Sequence, residues 1–206
     1  MTTPTDAEIL EKIHANMELF ISLVKRVKND EVRRSLEDLC SEVGDRIATC
    51  PASTSTKYIG AFPGGLVWHS LEVLKVMKEL NKIYEAGLST DSLILTALFH
   101  DIGKIGNKEE DYYLPQESDW HVKNLGMNFT INDSLSSTPV PTRSLWWLTS
   151  IVPLTEEEIG AISSLQNMSN MYSSELYNAP MLTIILQQAV RGVCAKNKGK
   201  TNVLNQ

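Results

Sequence analysis

The stretch that most limits the fold is Leu93-Ile94-Leu95-Thr96-Ala97-Leu98-Phe99, an apolar run that ends on His100-Asp101. It is too apolar to form a solvated face, so a helix built from it belongs inside the molecule, with other helices around it. Ser89-Thr90-Asp91 supplies an N-cap ahead of the run and Gly103 a stop, which predicts a helix from Ser89 to Ile102. A carboxylate at the end of such a run is costly unless an ion compensates it. A helix that delivers His100 and Asp101 at its last turn can aim an imidazole nitrogen and a carboxylate oxygen at one cation, because their different reaches offset the rotation between neighbours. A second imidazole has to come from elsewhere. His69, early on an amphipathic helix that follows the turn Gly64-Gly65, is the candidate.

The rest of the chain reads as helices joined by loops. Ile9, Ile13, Met17, Phe20, Ile21 and Val24 recur at helical spacing behind an acidic first turn, and Val32, Leu36, Leu39, Val43 and Ile47 do so after Asn29-Asp30. Together they predict an N-terminal helical hairpin. Pro, Ser, Thr and Gly between Ala48 and Leu66 make a loop that leads into the helix bearing His69, which runs to about Tyr84. Asn107 to Pro141 is polar and irregular, a long lid-like insertion with a short helix around Asp119 to Leu125. Thr142 to Val152 forms a helix carrying Arg143 in its first turn, and Thr155 with Glu158 forms a capping box for the next. A polar loop from Asn167 to Asn178 precedes a last helix opened by Pro180, and the residues after Lys196 read as a frayed tail. There is almost no strand signal and no internal repeat. The domain reading is a hairpin over 1–47 packed on the core, a main domain over 48–196 and a flexible tail over 197–206.

At 206 residues the chain is long enough to bury a full core. A net charge of −6 and a pI near 5.3 argue against a surface that grips duplex nucleic acid, while leaving room for a small basic pocket for phosphate. The expected ligand is therefore small. Cys40, Cys50 and Cys194 are odd in number and widely spaced, so they predict reduced thiols and neither a disulfide framework nor a thiolate zinc site. The first residues lack a basic and apolar leader, and no apolar run reaches membrane-spanning length. A cytoplasmic protein is expected.

A histidine on one helix and a His-Asp pair on another resemble the HD-domain metal-dependent phosphohydrolases. The likeness extends through Ala61-Phe62-Pro63-Gly64-Gly65-Leu66, Trp68-His69-Ser70-Leu71, Phe99-His100-Asp101-Ile102-Gly103-Lys104, Tyr113-Leu114-Pro115, Trp120-His121 and Val140-Pro141-Thr142-Arg143-Ser144-Leu145. In that combination the chain is similar to HD proteins common in bacteriophage genomes, from roughly Asp45 to Lys196. The resemblance implies an all-α HD-domain bundle of about six to eight helices. It implies one divalent ion on His69, His100 and Asp101, with Mn, Fe, Zn, Co and Ni all suited to the ligand set and Mg also compatible. No other cofactor is indicated. Lys104 and Arg143 are then candidates to face a phosphate, His121 sits near the pocket as a candidate for substrate or proton transfer, and Asp101 belongs to the catalytic set as well as the metal set.

One position departs from the family's pattern. The last metal-binding aspartate should follow Ala189, where this chain has Val190-Arg191, and the family's acid near the preceding helix end falls on Leu165-Gln166-Asn167. Two readings result. One is a metal-dependent phosphohydrolase acting on a nucleotide, a deoxynucleoside mono- or triphosphate being favoured, in the host cytoplasm if the phage likeness holds. The other is a degenerate HD protein, catalytically weak or inactive, that binds a nucleotide or a protein partner. The N-terminal hairpin is compatible with a homodimer.

Overall fold

The computed structural model describes residues 5–167 and 178–204. Its elements run α1 Asp6–Val24, α2 Asp30–Thr49, α3 Gly65–Ile83, α4 Thr90–Phe99, a 3-10 turn Ile102–Ile105, β1 Tyr113–Pro115, α5 Asp119–Leu125, β2 Phe129–Ile131, α6 Val140–Thr149, α7 Glu156–Ser163, a 3-10 turn Ser164–Asn167 and α8 Met181–Lys196. The protein is all-α, and β1 and β2 pair antiparallel as the one small sheet among the described residues. Most of the stretch expected as a polar loop, residues 168–177, lies outside the described residues.

Short polar residues set the helix starts. Thr5 and Glu8 form a reciprocal capping box for α1, and Thr155 and Glu158 do the same for α7. Asn29 accepts from the backbone of Glu31 and Val32 to open α2, and Ser89 accepts from Ser92 N at 3.0 Å to open α4. Asp91, in the first turn of α4, reaches across to accept from Lys28 N and Asn29 N, fastening the α1–α2 connection to the central helix.

Helix α4 lies in the middle. Every residue from Leu93 to Phe99 is buried, as its composition demands, with α3, α1, α7 and α8 against it. Phe99 meets Phe20 of α1 edge-on at 5.2 Å, and each such buried ring contributes on the order of 1.5–3 kcal/mol. The hairpin α1–α2 shares this core, since Phe20, Leu36 and Ile47 belong to the same buried cluster as Phe99, Leu148 and Leu186.

Three local expectations change. First, α4 stops at Phe99, with His100 as its C-cap, and Gly103 falls inside a 3-10 turn instead of ending a helix. Gly103 answers a packing need: an added Cβ would lie 2.6 Å from the Val140 carbonyl and 2.7 Å from Ser144 N of α6. Second, the insertion is not structureless. It is a β1–α5–β2 unit whose strands of three residues are too short for an alternating pattern to show in sequence. Third, residues 197–204 fold back on the domain: Asn197 and Val203 are buried, and the Lys200 ammonium stands 5.4 Å from the centre of the Trp68 ring. No described helix is long and apolar enough to cross a membrane.

Candidate metal centre

The site begins with backbone that tolerates no side chain. Gly64 caps α3 at φ 80, a left-handed conformation that favours glycine, and a Cβ on Gly65 would run into the Gly60 carbonyl. Loop and helix start are thus pressed together, and His69, one turn into α3, is almost fully buried. From the other side, α4 ends with its last residues in the core and delivers His100, also fully buried.

The two imidazoles face the same carboxylate. Asp101 Oδ2 lies 3.4 Å from His100 Nε2 and 3.8 Å from His69 Nε2, and the rings stand edge to face at 5.3 Å. One ligand atom from each of the three residues falls within 4.8 Å of the others, and among the described residues this is the one His/Cys/Asp/Glu group so disposed.

Proton placement follows from the hydrogen bonds. His100 Nδ1 is 2.9 Å from the Ala97 carbonyl, an acceptor only, so the ring donates from Nδ1 and presents a lone pair at Nε2. That lone pair has no protein partner, nor has His69 Nδ1, although both atoms are buried. Burial, reinforced by His100, holds the His69 pKa down to about 3 against the pull of Asp101. Burial likewise lowers His100, with Asp101 and the Ala97 carbonyl opposing. Both rings are neutral at pH 7, the form in which imidazole ligates a metal.

Asp101 is ionised. Burial would raise its pKa, but Lys104, His100 and His69 outweigh burial and hold the carboxyl well below the usual carboxylate range. Lys104 Nζ donates to Oδ2 at 2.6 Å. Burial acts to lower Lys104, yet Asp101 wins and keeps the ammonium charged beyond its ordinary range. A neutral lone pair aimed at a carboxylate oxygen at 3.4 Å is an acceptor facing an acceptor, an arrangement that suits a cation between them. The donor set and the buried, unpartnered Nε2 of His100 facing Asp101 therefore fit a divalent ion.

The structure brings together His69, His100, Asp101 and Lys104 and gives the other sequence candidates partners outside that group. Arg143 donates to the carbonyls of Ser136, at 2.9 Å, and Gly103, at 3.4 Å, with its guanidinium over the Tyr112 ring. His121, at the start of α5, has its Nδ1 2.8 Å from Ser118 Oγ and its ring against Trp120. Val190 packs in the apolar core on α8. Asp119 pairs with Lys123 at 3.0 Å on the surface and does not stand in for the missing acid.

Sequence reasoning passed over Arg46 and gave Tyr113 no role of its own. Arg46, in the last turn of α2, donates to the carbonyls of Ile105, Asn107 and Glu110 and to Asp111 Oδ1, bracing the chain just after Lys104. A basic residue at a helix C-terminus is so common that nothing marked it. Tyr113 stands close enough to Lys104 and Asp101 to feel both, though burial is what chiefly pushes its phenol up to about 12. A cavity of about 150 Å³ opens beside Lys104, walled by Cys50, Pro51, Tyr113 and Phe129 among others.

Comparison with known proteins bears on this arrangement. The family description "HD domain" matches residues 67–127, the span that holds His69, His100, Asp101 and Lys104. Over these residues the chain is similar to HD-domain proteins. Members of that superfamily are in general metal-dependent phosphohydrolases. The chain is also 30% identical over 79 residues to a 3'-5' exoribonuclease, YhaM, of Oceanobacillus iheyensis, a stretch that covers 38% of this chain and 24% of the relative. The chain thus spans about a quarter of that protein's length. No solved structure matches it.

Proposed function

We propose that the protein is an HD-type metal-dependent phosphohydrolase that cleaves a phosphate ester of a nucleotide, a deoxynucleoside mono- or triphosphate being the favoured substrate. The observation that carries this reading is the pair of buried neutral imidazoles facing one ionised carboxylate. His69, His100 and Asp101 would hold the ion. A divalent ion there supplies Lewis acidity toward a phosphoryl oxygen and lowers the pKa of water toward neutrality.

The chain's own groups supply the rest. The Ala97 carbonyl fixes the His100 tautomer, so its lone pair stays directed inward. Lys104 carries a charge that a phosphate oxygen can share with Asp101. Tyr113, Phe129 and Pro51 give the adjoining cavity flat apolar walls that suit a sugar or base, while Lys104 at its edge favours an anion. The net charge of −6 goes with a small anionic substrate drawn to a local basic spot, not with duplex nucleic acid.

A second reading has its own support. Val190 stands where the resembling family carries its last acidic ligand, and it is buried among apolar neighbours. An HD protein built this way would bind metal and nucleotide without turning over. The deciding experiment is phosphate and nucleoside release from a nucleotide panel, on protein stripped of metal and reloaded with Mn, Co, Zn or Mg, with Asp101→Ala as blank. Metal-dependent release absent from the blank is expected. No release with any metal, and its appearance in Val190→Asp, would establish the binding reading instead.

A further inference from the structure

Helix α6 grips the turn that carries Asp101 and Lys104 by its backbone. Gly103 N donates to Ser144 Oγ at 2.9 Å, the Gly103 carbonyl accepts from Arg143 Nη1 at 3.4 Å, and Trp147 Nε1 donates to the Gly106 carbonyl at 2.9 Å. The missing side chain of Gly103 lets α6 come this close, since a Cβ there would lie 2.9 Å from Arg143 Cβ. Three side chains of one helix therefore bond the same short turn.

The side-chain hydrogen bonds of Ser144 and Trp147 end at the turn, whereas Arg143 goes further. Its Nη2 donates to the Ser136 carbonyl at 2.9 Å, and its guanidinium carbon lies 4.8 Å from the centre of the Tyr112 ring. Tyr112 immediately precedes β1, and Ser136 follows β2. One side chain thus touches both ends of the insertion and the His-Asp turn together. An arginine 4% exposed is costly to bury unless its donors are used, and here Nη1 and Nη2 each donate to a carbonyl while the guanidinium lies over a ring face. To reach a phosphate it would have to leave them.

We propose that Arg143 is a positioning residue that couples the β1–α5–β2 insertion to the Asp101–Lys104 turn, so that the seating of the insertion sets the aim of those two side chains. The consequence for metal rests on the reading of the site as a metal centre; the coupling itself does not.

Site-resolved amide exchange on the whole chain tests it, with and without Co²⁺. The amides of Gly103 and Gly106 report on the turn, while Asn132 and Thr138, which donate to the carbonyls of Tyr112 and Ser136, report on the insertion. Arg143→Lys keeps the charge and loses the fork. It should speed exchange about tenfold at both sets of amides while leaving the α1–α2 hairpin unchanged, and it should weaken Co²⁺ binding about tenfold. Ser144→Ala should affect the turn alone. If Arg143→Lys does not fold, Tyr112→Leu, which removes only the ring beneath the guanidinium, is read in the same way. Acceleration at one set of amides only, or uniformly over the chain, overturns the coupling. If the wild-type protein binds no Co²⁺, the metal-centre reading fails while the exchange pattern still decides the coupling.

Discussion

Lowering the pH of the chelated protein from about 6 to about 4.5 should cost it stability through the two buried imidazoles. Both have folded-state pKa values below the ordinary imidazole value of 6.5, about 3 for His69 and a shift in the same direction for His100. Protons in this window therefore bind the unfolded chain and not the folded one. The stability is present above the unfolded pKa and drains away as the pH falls toward the folded one. Each such group contributes a slope of about 1.4 kcal/mol per pH unit, so His69 alone accounts for about 2 kcal/mol over this interval, and His100 adds up to as much again. Asp101 does not confuse the measurement, because its lowered pKa makes its own contribution drain away only below the ordinary carboxylate value, near pH 4. Urea midpoints at several pH values in the presence of a chelator give the slope. His69→Gln should remove at least half of the acid loss from this imidazole pair. A flat stability profile in the wild type, or a wild-type slope in His69→Gln, would refute the reasoning.

Three further outcomes are expected. Lys104→Met removes the 2.6 Å partner of a largely buried carboxylate and should cost about 3–5 kcal/mol in urea unfolding at pH 7; a loss below about 1 kcal/mol would mean the pair is solvated. Gly65→Ala drives a methyl into the Gly60 carbonyl and should destabilise by about 1–3 kcal/mol, whereas Gly192→Ala, on α8 with open space around it, should stabilise by roughly 0.5–1 kcal/mol; equal effects would sink the steric account. Saturation with Co²⁺ at about a hundred times its dissociation constant should raise stability by about 2.7 kcal/mol, an increment that Asp101→Ala should lack in a thermal shift measured side by side.

The helical framework was legible because it rests on period and on capping chemistry. The Thr155–Glu158 box and the Ser89 cap appear as bonds where the spacing put them, and the run from Leu93 to Phe99 is buried throughout. His69, His100 and Asp101 could be nominated together because a glycine-rich turn and an apolar run mark helix ends that aim inward. The details turning on tertiary approach were not legible. Gly103 looks like a helix stop in one dimension, and only the nearness of α6 shows that it is a contact surface. Arg143 in a first helical turn reads as an anion ligand, but the carbonyls of Gly103 and Ser136 that occupy it come from segments on either side of the insertion. Two three-residue strands leave no alternation to find, and their existence depends on α5 folding the chain back between them.

The alternation within that small sheet bears on how a protein of this kind could change what it accepts. Tyr113 pairs with Ile131 and Pro115 with Phe129, and these pairs share the face that walls the cavity, whereas Leu114 and Thr130 form the pair on the opposite face. Drift at Leu114 and Thr130 can proceed without altering the chamber beside Lys104, and a designed library confined to Tyr113, Pro115 and Phe129 would reshape the chamber while leaving the imidazoles alone. The three wall residues Tyr113, Pro115 and Phe129 thus lie on a segment of the chain separate from the two imidazoles, so that one can vary while the other is kept.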